Sequence, residues 1–387
     1  MWYFHSPLVV YGEDALSELE SIRGHRAFIV TDANLARIGM VDLVKAKLQA
    51  AGMQCQVFAG VEPDPSLETV KRGARAMLAY GPDWIVGLGG GSAMDAAKAM
   101  WVLYEHPDMV PEQINPVEPL TLRQKARLIT IPTTSGTGAD STWAIVLTDT
   151  AEGRKLALGS RENMADIAIV DPALTMNLPA SITSDTGMDA LTHAVEGYTT
   201  SWHNDFCDGL CLAAIRLVFR FLPRAVSDGQ DREARERMHN AATIAGLGFG
   251  NALAAAAHAL GHSLGAAFHM PHGRAVGLAL PYTIEFTGPV MAERYADILR
   301  FVGVDRVSLG EAPRLLAAQI RTLASSIGQP LSLRDAGIDQ VAFEQALPKL
   351  VENAENDATL VASARIPETA EVRRLYECLF TAQSADF

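Results

Sequence analysis

In the first half of the chain, short apolar runs alternate with stretches of helical spacing. Residues 27–30 form an apolar run ending in Thr31-Asp32, and residues 35–51 repeat apolar positions at helical spacing. Residues 54–58 predict a second strand. Pro63-Asp64-Pro65-Ser66 breaks it, and Ser66 stands where a helix over residues 67–80 needs an N-cap. A third strand, residues 84–88, runs into Gly89-Gly90-Gly91-Ser92 and a helix over 93–104. Residues 106–125, with several prolines and no helical period, predict a surface excursion. A fourth strand, 128–132, runs into Thr133-Thr134-Ser135-Gly136-Thr137-Gly138, and further strand-like runs lie at 144–147 and 167–170. This alternation predicts a parallel α/β sheet. Past Pro179-Ala180-Ser181 the pattern becomes helical, with breaks near Pro223, Gly229, Pro271, Pro281 and Pro330, and with residues 241–260 as one buried helix. The expected organisation is an α/β domain over residues 1–180 and an all-helical domain over 181–387.

At 387 residues the chain is long enough for two cores. Its net charge of −13 argues against nucleic acid or an anionic membrane as a partner. The four cysteines form no CxxC pair, which points to a reducing, cytoplasmic compartment. Cys207 and Cys211, one helical turn apart, read as core residues. The opening segment lacks the basic-then-apolar pattern of a secretory leader.

The chemistry concentrates in the second half. His258, His262, His269 and His272 fall within fifteen residues. An Ala-rich lead-in, 254–257, predicts a helix that sets His258 and His262 on one face. Pro271 would end that helix and leave His272 on a loop. Imidazoles so clustered propose a metal site, an acid/base site, or both. Upstream, Asp189 and His193 share a face of another predicted helix, and Glu196 stands three residues on. An Asp/His pair with a His/His pair gives one oxygen and three nitrogens, a set suited to Fe²⁺ or Zn²⁺. Spacing alone does not choose between His258 and His262.

In the first half, Gly89-Gly90-Gly91-Ser92 lies between a strand and a helix, where free N–H groups suit a pyrophosphate, with Asp95 and Lys98 one and two turns further. The order is not GxGxxG. A triple glycine is also a common tight turn, and the Thr133–Gly138 loop is equally compatible with a capped turn. Asp32, at a strand end, suits either a helix cap or a ribose diol.

Together these pieces resemble the iron-containing, or group III, alcohol dehydrogenase family over nearly the whole chain. The resemblance rests on Gly89–Ser92 with Asp95 and Lys98, residues 131–138, residues 187–196 and residues 258–273. It implies a dehydroquinate synthase-like fold: an α/β nucleotide-binding domain with a parallel sheet and an all-α metal-binding domain, with the metal between them. It implies Asp189, His193, His258 and His272 as metal ligands, and His262 as a catalytic group near the nicotinamide. Cofactor contacts would come from Asp32, Gly89, Gly90, Gly91, Ser92, Asp95, Thr133, Thr134, Thr137, Thr142 and Lys155, and the substrate pocket from Ala144 and Phe249. The small Ala144 would widen that pocket relative to family members with a polar side chain there.

The expected protein is thus a homo-oligomeric enzyme, dimeric or larger, that interconverts a small primary alcohol and its aldehyde. NAD is expected before NADP, with Asp32 as the reason, and Fe²⁺ before Zn²⁺. Alternatives with the same fold are a polyol or hydroxy-acid dehydrogenase, a reductase of an unsaturated acid, or a non-redox lyase or synthase using NAD and a metal.

Overall fold

A computed structural model describes residues 3–385 and residue 387. Met1 and Trp2, at the head of the segment expected to be no leader, lie outside the described residues. The chain divides into two compact units, one ending at Asn177 and the other running from Leu178 to Phe387.

The first unit carries β1 (Leu8–Tyr11), β2 (Arg26–Val30), α1 (Ala33–Arg37), α2 (Met40–Ala50), β3 (Gln54–Phe58), α3 (Leu67–Tyr80), β4 (Trp84–Gly89), α4 (Gly91–Glu105), β5 (Arg127–Pro132), β6 (Ala144–Asp149), β7 (Arg154–Gly159) and β8 (Ile167–Val170). Six strands form a parallel sheet in the order β1-β8-β5-β4-β2-β3. Side chains alternate between its faces. Ala27, Ile29, Val86, Leu88, Ile129 and Ile131 pack with α2 on one side. Phe28, Val30, Ile85 and Leu128 pack with α3 and α4 on the other. Both faces are covered, as parallel sheets require.

Three expectations change here. The single helix over 35–51 is two, because Gly39 adopts φ +85° and breaks the backbone between α1 and α2. The run at 144–147 does not join the parallel sheet. It pairs antiparallel with β7, which the sequence pattern did not mark, as a separate hairpin. The short β1 was also not anticipated. The Ser66 cap forms, its Oγ accepting from Thr69 N–H at 3.1 Å.

The second unit is helical: α5 (Ala180–Thr199), α6 (Asp205–Ser227), α7 (Arg232–Phe249), α8 (Ala256–Phe268), α9 (His272–Phe301), α10 (Ala312–Ser326), α11 (Gln340–Glu355) and α12 (Thr369–Thr381). They enclose one core, with α5 buried along nearly its whole length. Pro223 and Pro281 are not breaks. They sit inside α6 and α9, where packing outweighs the lost helical hydrogen bond. Residues 241–260 are not one helix, since the chain turns after Phe249 and restarts at Ala256. Among the described residues no helix is long and apolar enough to cross a membrane.

Candidate metal centre

Four side chains reach the centre from three helices. Asp189 and His193 lie four apart on α5, so both point to one side. His258 is in the first turn of α8. His272 is the first residue of α9, with Pro271 as its N-cap, and not on a loop as expected. Proline fits there because an N-terminal turn needs no intrahelical N–H from it. Gly273 makes the approach possible: a Cβ at that position would lie 2.1 Å from the Asp185 carbonyl oxygen of α5. Any other residue would push α9 away from α5 and carry His272 from Asp189.

The ligand atoms of Asp189, His193, His258 and His272 all lie within 4.8 Å of one another. From Asp189 Oδ1 the distances are 3.4 Å to His272 Nε2, 3.6 Å to His193 Nδ1 and 3.9 Å to His258 Nε2. Donors about 2.0–2.2 Å from one tetrahedral ion stand about 3.3–3.6 Å apart, so the set is spaced for a single ion. Asp189 is 1% exposed, yet its Oδ1 accepts no hydrogen bond, and His258 Nε2 also makes none. Buried polar atoms left without partners are what a cation would satisfy. Three imidazoles and one carboxylate suit a borderline ion such as Fe²⁺ or Zn²⁺ over Ca²⁺ or Mg²⁺.

The electrostatics agree. Burial alone would raise the Asp189 carboxyl, but the neighbouring His193 and His272 outweigh it and hold the group well below the carboxylate range. Burial pushes His258 down, and the Glu196 carboxylate more than reverses this. His258 Nδ1–H donates to Glu196 Oε2 at 2.5 Å, leaving Nε2 toward Asp189. Glu196 also accepts from the N–H groups of Ala255 and Ala257 at 2.9 and 2.6 Å, so it ties α5 to the start of α8. A carboxylate that orients a ligating histidine is the usual outer partner of such sites.

His262 is outside the four-atom cluster. Its Nδ1–H donates to Asp357 Oδ2 at 2.7 Å, and its ring stacks on His272 with centroids 5.3 Å apart. Asp357 is held in turn by the Thr359 N–H at 2.9 Å and hydroxyl at 2.6 Å. Burial would raise the Asp357 carboxyl, but His262 outweighs it and holds it low. Sequence reading missed Asp357: it lies ninety-five residues from His262, and alone it reads as a turn residue. Phe249 stacks on His193 at 3.9 Å and 11°. His269, the fourth histidine of the run, takes φ +52° as the C-cap of α8 and is not in the cluster.

In the first unit, Gly89 of β4 stands opposite Pro132 of β5, so the glycine loop and the 133–138 loop leave the sheet side by side. Thr133 N–H donates to Gly89 O at 3.0 Å, and a Cβ on Gly91 would meet Thr137 at 2.9 Å. Asp32 follows β2, the other neighbour of β4. The three loops meet where strand order reverses, the usual nucleotide position of an open parallel sheet. The N–H groups opening the fifteen-residue α4 suit a pyrophosphate. Asp32 caps α1 through Oδ1, which accepts from Asn34 and Leu35 N–H. Ser92 Oγ accepts from Asp64 N–H at 3.3 Å, and Lys155 pairs with Asp64 at 2.7 Å. Thr134 is half-buried beside Gly90, Thr142 is buried, and Ala144 opens β6. Asp95 is bound within the unit through one oxygen, its Oδ2 accepting from Val146 N–H at 2.9 Å.

With this geometry in view, the likeness to known proteins is informative. The family model for iron-containing alcohol dehydrogenase matches residues 6–172, and that for the C-terminal part of the Fe-containing alcohol dehydrogenase family matches 183–380. The chain is 37% identical over 383 residues to the NADPH-dependent butanol dehydrogenase of Clostridium saccharobutylicum, covering 98% of each. It is 36% identical over 372 residues to long-chain-alcohol dehydrogenase 1 of Geobacillus thermodenitrificans, covering 95% of this chain and 93% of that one. The crystal structure of a 1,3-propanediol oxidoreductase matches with a TM-score of 0.91 at 32% identity, over 98% of this chain and 100% of the other.

Proposed function

Since this chain belongs to the iron-containing alcohol dehydrogenase family, and so is a metal-dependent, nicotinamide-linked oxidoreductase acting on CH–OH groups, we propose that it interconverts a small primary alcohol and its aldehyde using NAD. The observation that carries this reading is the buried set Asp189, His193, His258 and His272, spaced for one ion and holding a carboxylate oxygen with no hydrogen bond. These four residues would hold Fe²⁺. When bound, iron supplies a Lewis acid for the substrate oxygen, and the nicotinamide supplies the hydride acceptor.

The chain's own groups do the rest. Glu196 keeps the proton of His258 on Nδ1, so that Nε2 offers its lone pair to the metal. Asp357 does the same for His262, whose Nε2 is then the ring nitrogen able to take the alcohol proton. Phe249 covers one face of His193 and keeps water from it. The amides opening α4 bind the pyrophosphate, and Asp32 keeps Oδ2 for the adenosine ribose while Oδ1 caps the helix. A 2′-phosphate beside that carboxylate would meet like charge, which favours NAD. The butanol dehydrogenase relative is NADPH-dependent, so the preference rests on Asp32 and not on family membership. The same reading takes the protein as a cytoplasmic homo-oligomer, in keeping with four free thiols, three of them buried.

A diol is the second reading, favoured by the likeness to the 1,3-propanediol oxidoreductase and by the small side chain of Ala144. The test is anaerobic NADH formation by the Fe²⁺ and Zn²⁺ forms across primary alcohols, diols and hydroxy acids. Turnover is expected with primary alcohols and greater with Fe²⁺. Turnover confined to hydroxy acids, or no net NADH with any substrate, would overturn the reading.

A further inference from the structure

The glycine loop is continuous with α4, and α4 carries two buried charges that the catalytic reading does not use. Lys98 is 0% exposed and Asp95 is 9% exposed. They lie one turn apart on one face, with Lys98 Nζ 3.6 Å from Asp95 Oδ1. Both reach the same strand. Lys98 Nζ donates to Ala144 O at 2.9 Å, and Asp95 Oδ2 accepts from Val146 N–H at 2.9 Å. A carbonyl at one residue and an N–H two residues later point to the same side of a strand, where a neighbouring strand would bind them. Among the described residues β7 is the only strand paired with β6, apart from an isolated bridge between Thr148 and Ser66. The charged pair therefore stands in for a missing strand, one donor and one acceptor matched to an edge.

This hairpin reaches the rest of the proposed cofactor site. Thr148 N–H donates to Pro65 O at 2.9 Å, Lys155 pairs with Asp64 at 2.7 Å, and Asp64 N–H donates to Ser92 Oγ at the start of α4. A closed circuit runs from the glycine loop through α4 to β6, along the hairpin to Lys155, and back through Asp64 to Ser92. Burial pushes both groups toward neutrality, and each charge opposes that shift in the other. Burying two charges is costly unless the geometry holds them, so removing either leaves the other less well compensated, Asp95 more than Lys98, which also faces Asp140.

We propose that Asp95 and Lys98 are a coupled pair of positioning residues that lock the β6–β7 hairpin to the glycine-loop helix and so set the affinity for the dinucleotide. They touch backbone, not cofactor. The proposal rests on the reading that the glycine loop binds a dinucleotide.

The experiment measures NADH binding by fluorescence titration, with and without metal, for the wild type, Lys98→Met, Asp95→Asn and the double variant. Hydrogen exchange of the 144–149 segment is followed in parallel. Lys98→Met is expected to weaken NADH binding at least about tenfold and to speed exchange at Val146, with metal content unchanged. In steady state the cofactor KM should rise more than kcat falls. Asp95→Asn keeps an acceptor for Val146 and should have a smaller effect. The double variant, which leaves neither Asp95 nor Lys98 charged, should bind better than Lys98→Met. If Lys98→Met does not fold, the neutral double variant still tests the proposal by its faster exchange and weaker binding. Unchanged NADH affinity with faster exchange would reduce the pair to a stabilising role and overturn the proposal, as would strictly additive effects. A wild type that binds no NADH would instead overturn the reading of the glycine loop.

Discussion

The two candidate sites are built from opposite materials. In the first unit the ligand-facing groups are largely backbone: a glycine loop, a helix N-terminus and loops leaving adjacent parallel strands. In the second they are side chains, three imidazoles and a carboxylate on three helices. A backbone site is positioned by hydrogen bonding of the whole sheet, so most single side chains contribute little to it. A side-chain site depends on each donor, and its outer partners Glu196 and Asp357 matter because they set which ring nitrogen carries the proton. One unit thus fails through its supports, the other through its ligands.

The largest effect should follow removal of a donor. His258→Ala or His272→Ala should lose alcohol oxidation almost completely and fall more than about a hundredfold in metal affinity, beyond the usual cost of an outer partner. NADH binding should persist in both. Metal analysis beside NADH titration checks this, and full metal occupancy in either variant would exclude that residue as a ligand.

Next comes the residue beside the cluster. His262→Ala should keep its metal and lose about 10²–10⁴-fold in kcat, the range for general acid/base groups. Asp357→Asn should lose less and alter the pH–rate profile, because an amide there no longer favours the proton on Nδ1. Loss of metal in step with activity would make His262 a ligand.

In the backbone-built site a single carboxylate should tune without abolishing. Asp32→Gly should improve the NADP KM and narrow the NAD preference with metal content unchanged. Comparing kcat/KM for the two cofactors decides it, and equal use of NADP by the wild type would remove Asp32 from cofactor choice.

The smallest effect is on stability. Burial in α7 lowers His239 from its ordinary 6.5 to about 4. Between those values the unfolded chain binds the proton and the folded one does not, so stability falls as pH drops from about 7 toward 4. From pH 7 to pH 5 this group should cost about 2 kcal/mol, seen as a lower urea midpoint. His239→Gln should flatten that dependence, and an unchanged slope would show that other groups carry it.

Much of this is legible in the sequence itself. Short apolar runs located β2, β3, β4, β5 and β8, because a parallel sheet covered on both faces buries successive residues, and helical spacing located the all-helical second half. Asp189 with His193 was readable as a pair because both lie on one helix at fixed spacing. Helix position at His272 was not, since proline is equally at home after a helix and before one. Nor was the place of β6: its apolar run suits either sheet, and only hydrogen-bond partners distinguish them. Asp95 lay in a motif that pointed to the cofactor, and one oxygen of its carboxylate is bound by Val146 fifty-one residues away. Asp357 was invisible for the same reason, reaching His262 across ninety-five residues. Local spacing determined which side chains share a face. Contacts between distant segments, which packing alone brings within hydrogen-bond reach, decided what each of those side chains touches.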